Sequence, residues 1–220
     1  MKSDNFSKKL IVALALFTLQ VFSQSFFTDN RDGKKYKAVK IGEQVWMAEN
    51  LNYNAESSEC YEKQESNCNK YGRLYDWEIA LKSCPAGWHL PSSDEWVVLA
   101  KFVGDSIVNA GGGSVVGRVG DSYLTTVNKS FNAGVKLKSK SGWNNNGNGT
   151  DDFGFSALPY GYGIKTLGKF YHFGEIGYWW SATENNANVA RSRSLKYNYT
   201  NIDARTNHKG DLLSVRCIQD

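Results

Sequence analysis

The chain has 220 residues, of which 14% are aromatic, with 21 Gly, only three Pro and a formal net charge of +4. That length suits one domain with an N-terminal extension, and no run of Lys or Arg exceeds two residues, which excludes the basic stripe that nucleic-acid binding needs. An aromatic-rich, Gly-rich, turn-rich composition predicts an α+β fold whose rings mostly fill the core.

Lys8 and Lys9 precede the apolar run Leu10 to Val21, and Ser23 and Ser25 follow it. A charged start, an apolar stretch and small residues read as an export signal. The run is too short for a membrane-spanning helix, which needs roughly 18–20 residues. We place the signal at residues 1–23, with cleavage after Ser25 as the alternative, and the domain at residues 26–220. Cleavage removes three lysines and one aspartate and leaves +2. No cysteine directly follows the apolar run, which speaks against a lipid anchor, and no later segment is apolar enough to span a membrane. The expected location is outside the cytoplasm, secreted or periplasmic.

Export gives meaning to Cys60, Cys68, Cys84 and Cys217. An even count in an exported chain reads as two disulfides. Three pairings are open, and a local Cys60–Cys68 bridge with a long-range Cys84–Cys217 bridge is preferred. A zinc site is disfavoured because no CxxC occurs and His89, His172 and His208 are scattered.

The segment from Phe26 reads as a β-meander, with Asp32-Gly33 suiting a type I′ turn and Gly42-Glu43 a type II′ turn. The polar stretch Asn54 to Gly72 reads as a loop closed by its own bridge. A first helix is predicted over residues 72–84, with Leu74, Trp77, Leu81 and Cys84 on one stripe. A second begins at Ser92, which forms a capping box with Glu95, and carries Trp96, Leu99, Ala100 and Val103 on one face up to Gly104. Residues 105–132 look like a loose insertion. Short strands with turns then run to the end of the chain, and Leu213, Val215 and Cys217 share a strand face by period two.

Between them lies Gly142 to Phe155, GWNNNGNGTDDFGF, with four Asn, two Asp and four Gly. Asn and Gly tolerate left-handed backbone, and Asx side chains bond nearby amides, so the first expectation is a self-bonded loop anchored by Trp143 and Phe155. A calcium site on Asp151 and Asp152 is the weaker expectation. The loop fails as an EF-hand, because Phe155 stands where a bidentate Glu is required. The third is a sugar- or peptide-binding surface. Sugar rings stack on exposed aromatics and take hydrogen bonds from planar amides, which nominates Trp143, Asn144, Asn146, Asn148, Tyr160, Tyr162, Tyr178 and Trp179, with Arg193 for acidic groups. In Tyr-Trp-Trp, alternation sends neighbouring rings to opposite faces. We place Trp180 in the core and Trp179 nearer the surface, with the reverse left open. His89 and His172 read as hydrogen-bonded structural residues. No catalytic residue is nominated, since no GxSxG is present and adjacent aspartates rarely serve one site as acid and base.

Six segments carry a resemblance: VKIGEQVWMAENLNY, KYGRLYDWEIAL, CPAGWHLPSSDEW, SGWNNNGNGTDDFGFSALPYG, GYWWSATE and SVRCI, in this order. The chain resembles the Fibrobacter succinogenes major paralogous domain family from about Phe26 to Asp220, with the insertion at 105–132 as its main departure. WHLPSSDEW followed much later by SVRCI is more distantly similar to the formylglycine-generating enzymes. These have a C-type-lectin-like fold, two helices flanking short irregular antiparallel sheets. The resemblance implies a bridge from a helix to the last strand, which Cys84–Cys217 would supply. It does not carry over the enzyme's activity, because that chemistry uses a pair of late cysteines and only Cys217 is late here. The expected function is therefore an exported binding module for carbohydrate or an extracellular protein ligand, without nucleic acid. The alternatives are an enzyme of the formylglycine-generating group and a structural envelope protein.

Overall fold

The computed structural model of the chain describes residues 24–104, 108–109 and 132–220. The predicted export signal and most of the predicted insertion lie outside the described residues.

The chain opens with β1 (Gln24–Thr28), β2 (Lys35–Ile41) and β3 (Gln44–Met47), the expected meander. The second turn is the two-residue loop predicted: Ile41 pairs with Gln44, and Gly42 alone has positive φ, at 64°. The first is not. Its four-residue loop closes with Asp29 N–H on Lys34 O, and Gly33, not a two-residue turn, supplies the left-handed step at φ 74°. The reason is local. The fully buried Asp29 carboxylate takes the amide and the guanidinium of Arg31, so the loop wraps round an ion pair.

The predicted loop 54–72 carries more order than its composition suggested. A short 3-10 turn (Tyr61–Lys63) leads into helix α1 (Glu65–Tyr71), and Cys60–Cys68 closes them as expected. The helix predicted over 72–84 is shorter. Leu74 and Tyr75 form strand β4 (Leu74–Tyr75), and Asp76 then caps α2 (Trp77–Ser83) by accepting from Ile79 N–H at 3.0 Å. Leu81, assigned to the buried stripe, is 40% exposed. After β5 (Trp88–His89) comes α3 (Ser93–Phe102) with the predicted capping box in place and Trp96, Leu99, Ala100 and Val103 buried. A two-residue strand β6 (Val108–Asn109) and an unpredicted short helix α4 (Ala133–Leu137) follow.

The remaining strands are β7 (Tyr162–Ile164), β8 (Lys169–Tyr171), β9 (Ile176–Glu184), β10 (Val189–Lys196), β11 (Asp203–His208), β12 (Asp211–Ser214) and β13 (Ile218–Gln219). Among the described residues they form two sheets. The first has order β1-β2-β3-β13-β5, and the second β6-β11-β10-β9-β12-β7-β8 with β4 on β12. Pairing is antiparallel except β11 with β6 and the single pair Ser214–Trp179 between β12 and β9. The molecule is thus α+β, mostly sheet, with two disulfides. The second, Cys84–Cys217, runs from the end of α2 to the segment entering β13.

Two apolar cores sit against both faces of β9. Trp179 joins Trp46, Trp96, Phe155 and Ile218 in one, and Trp180 joins Tyr75, Trp77, Leu213, Val215 and Cys217 in the other. Successive strand residues face apart, so the two indoles separate as alternation requires. Both faces are covered, however, so neither ring is at the surface.

Candidate functional site

The Asn-rich segment closes on itself. Asn148 Oδ1 accepts from Trp143 N–H at 3.0 Å, and Trp143 Nε1 donates to Ser139 Oγ and Ala157 O. Asn145 and Asn146 take positive φ, as does Asp151 at 50°. Both Asp151 oxygens accept from Ser156, one from its amide at 2.7 Å and one from its hydroxyl at 2.5 Å. Gly147 is required by contact, since a Cβ there would lie 2.4 Å from Tyr197 O. Beneath the loop, buried Lys138 donates to the carbonyls of Lys196, Tyr197 and Tyr199, and burial lowers its pKa to about 8. Asp152 is exposed, and its amide donates to Lys136 O. Among the described residues the one cluster with metal-ligand spacing is Cys60, Glu65 and Cys68, and its sulfurs are joined to each other.

Most of the predicted binding aromatics are interior. Trp143 is 4% exposed, Tyr160 0%, Tyr178 7% and Trp179 1%, and a ring without an open face cannot stack on a sugar. Tyr160 is held by Tyr71, stacked at 5.0 Å, and by Tyr61 N–H donating to its hydroxyl at 3.0 Å. Trp179 Nε1 donates to Asn50 Oδ1. Arg193 is also buried. Its guanidinium donates to Ser93 O in the first turn of α3 and to Ser192 O, and burial lowers its pKa to about 10. Asn144 and Asn146 are exposed, as is Asn148, but none of them lines a described cavity.

Tyr162 is the exception. It lines a cleft of about 640 Å³ that opens where the chain leaves β11 and crosses to β12, with Thr206, Asn207, His208 and Asp211 around it. The ring is half-buried, stacked on Tyr171 at 5.5 Å and His172 at 5.9 Å, with Tyr178 edge-on at 5.2 Å. Three neighbours thus fix its plane. Asn207 is oriented from behind, because its Oδ1 accepts from Ser192 Oγ at 2.7 Å. That turns the amide nitrogen toward Asp211 Oδ2, 3.5 Å away. Burial pushes the Asp211 carboxyl pKa up, against smaller lowering from Asn207 and His208. The cleft therefore presents a fixed aromatic ring, an oriented amide donor and a partly desolvated carboxylate acceptor. Such a set can hold a vicinal diol, with the carboxylate accepting from hydroxyls and the amide donating to one.

The polar residues of this cleft escaped the sequence reading. The segment Asn207-His208-Lys209-Gly210-Asp211 carried a signal in its turn residues at a strand end, where side chains gather at a sheet border. The two histidines behave as expected. His89 sits between Asp220 Oδ1 at 2.6 Å and Glu95 Oε1 at 2.8 Å, and His172 meets Glu175 at 3.0 Å.

The Fibrobacter succinogenes major domain is matched over residues 39–219. No curated protein and no solved structure matches the chain.

Proposed function

The chain belongs to the Fibrobacter succinogenes major domain family, and from that premise we propose that it is an exported binding module that holds carbohydrate in the cleft of Tyr162, Asn207 and Asp211. The observation that carries the proposal is the pairing of a fixed, half-buried tyrosine ring with an oriented amide and a carboxylate in one cavity. Binding rather than glycoside hydrolysis is favoured because hydrolysis uses two carboxyl groups, and the described lining holds only Asp211. Two disulfides, and no described helix long and apolar enough to cross a membrane, accord with a place outside the cytoplasm. A C-type-lectin-like arrangement is part of the same reading. It is supported by the bridge from α2 to the last strand and by the meeting of β1 and β13 in one sheet.

The test is a glycan array probed with the purified mature chain, with and without EDTA. Binding to a defined glycan class is expected in both conditions, abolished in Tyr162→Ala and at least about tenfold weaker in Asp211→Asn, the scale of one lost charge-assisted hydrogen bond. Binding that survives Tyr162→Ala unchanged, or no binding to any glycan, sinks the reading. Loss in EDTA would restore a metal to the site.

A further inference from the structure

Asp211 is the group in the Tyr162 cleft whose charge the fold leaves without a partner. It is the cross-strand neighbour of Ile164, which stands two residues from Tyr162 on β7. Cross-strand neighbours share a face, and so do residues two apart on a strand. The carboxylate, the aliphatic side chain and the ring therefore rise from one side of the sheet. Burial raises the Tyr162 pKa and the Asp211 charge raises it further, so the phenol stands in the field of the carboxylate.

No lysine or arginine lies within ion-pair distance of Asp211 among the described residues. The two lysines of the flanking turns are held elsewhere. Lys165 Nζ lies 2.8 Å from Asp76 Oδ2, and Lys209 Nζ donates to Glu184 and sits over the Trp77 ring. Arg191, the cross-strand neighbour of Thr206, does not line the cleft. His208 is the one base whose charge bears on Asp211, and it is exposed. The acceptor capacity of Asp211 is also mostly unused. A carboxylate offers about four lone-pair sites. Asp211 receives the His208 backbone amide and, at 3.5 Å, the Asn207 side chain, a distance at the outer limit of a hydrogen bond. The residue is half-buried and lines the cleft, so a ligand can reach it.

A ligand hydroxyl would occupy one of those lone pairs and leave the charge in place. A partly desolvated anion is stabilised most by an opposite charge that also donates hydrogen bonds. The same cleft carries groups suited to a sugar frame, with Tyr162, Ile164 and Val189 for carbon and the Asn207 amide for a hydroxyl. We propose that the sugar held here carries a free amine, its ammonium lying on Asp211 while the hydroxyl on the adjacent ring carbon accepts from Asn207 Nδ2. The inference rests on the carbohydrate reading of this cleft and narrows it to one class. An N-acetylated sugar has no charge to offer, a neutral sugar leaves Asp211 unpaired, and a lysine chain leaves Asn207 unused.

The experiment is calorimetric titration of the mature chain with oligomers of glucosamine and of galactosamine, their N-acetylated forms, the matching glucose and galactose oligomers, and oligolysine. It is run at about pH 6.5, where an amine resembling an α-amino group is mostly protonated. One of the two free-amine sugars is expected to bind at least about tenfold more tightly than its acetylated and neutral counterparts and than oligolysine, the scale of one charge-assisted bond. Asp211→Asn keeps the shape of the side chain and removes the preference, bringing the free-amine and neutral sugars within about threefold of each other. Glu43→Gln removes the same charge from an exposed residue outside the cleft and leaves the preference intact. The proposal is overturned if neither free-amine sugar is preferred, if oligolysine binds as tightly, or if the preference survives Asp211→Asn. Its failure is separable from that of the carbohydrate reading. Neutral or acetylated sugars that bind as tightly as the free amines leave the cleft a glycan site of another class, whereas an empty glycan array removes the site itself.

Discussion

Asp151 shows what a single side chain does for the Asn-rich loop. It holds a left-handed backbone angle and takes both hydrogen bonds of Ser156. Asp151→Ala removes both bonds and places Cβ strain on a position that Asx residues tolerate, for a loss of about 2 kcal/mol by urea unfolding. Asp151→Asn keeps the backbone tolerance and one acceptor, and should lose about 1 kcal/mol or less. Millimolar calcium should leave the unfolding midpoint unmoved, because the carboxylate is already spent; a rise would mean that calcium displaces Ser156. Asp211 behaves in the opposite way. Burial raises its folded pKa above the ordinary 3.8, so the ionised form is disfavoured in the fold, and that penalty is present at neutral pH and disappears as pH falls through the folded pKa. Asp211→Asn should therefore raise the unfolding midpoint at pH 7 while weakening glycan binding. A residue that costs stability where it stands is a functional candidate, and a fall in the midpoint would instead make Asp211 structural. Composition and alternation correctly separated Trp179 from Trp180. They could not say that the strand is covered on both faces, because burial is set by layers contributed from distant parts of the chain. That is why the nominated tryptophans were lost from the surface and the Asn207–Asp211 turn was missed.

Element ends were legible where a side chain caps a backbone group, and illegible where only spacing was available. Ser92 and Glu95 announce α3, and both bonds of the capping box are made. The stripe Leu74, Trp77, Leu81 and Cys84 misled because strand β4 and helix α2 meet at Asp76 in the same phase, and the N-cap that divides them lies inside the stripe. Cap loss in Ser92→Ala should cost about 1 kcal/mol. The box has an addition that makes it respond to pH. Glu95 also receives His89, which bridges to Asp220 beyond β13, so α3, β5 and the end of the chain meet at one imidazole. Burial opposes charge on His89, but the bonds to Asp220 and Glu95 outweigh it and raise its pKa above the ordinary 6.5. Its contribution is therefore complete below about pH 6.5 and fades as pH rises through the folded value. Glu95 runs the other way. Burial opposes its charge as well, yet Ser92 and His89 lower its pKa below 4.5, so its contribution is complete above about pH 4.5 and is lost on further acidification. Unfolding midpoints measured from pH 3 to 9 should peak between these limits. His89→Gln should flatten the alkaline limb alone, and an unchanged limb would show that the imidazole is not held as described.

At the scale of the molecule, the segment Leu212 to Ile218 is buried throughout and passes from the second sheet to the first. On the way Val215 O accepts from Leu51 N–H and Cys217 O from Met47 N–H, so backbone bonds stitch the crossing to the region of β3. The Cys84–Cys217 bridge fixes the same crossing to α2, which packs on β9 and β12. Because its partners are 133 residues apart, the bridge removes a large loop-closure entropy from the unfolded chain, up to about 5 kcal/mol. Cys60 and Cys68 are 8 apart, and the same reasoning gives up to about 2.5 kcal/mol. Against total stabilities of roughly 5–15 kcal/mol, Cys84→Ala with Cys217→Ala should leave a marginal fold, and Cys60→Ala with Cys68→Ala a weakened but cooperative one. The functional consequences should divide differently. Neither Cys60 nor Cys68 lines the cleft of Tyr162. Loss of the short bridge should therefore leave the glycan profile of the Tyr162 cleft intact. A weakened or altered glycan profile would mean that the short bridge serves the whole fold and not only the segment it closes.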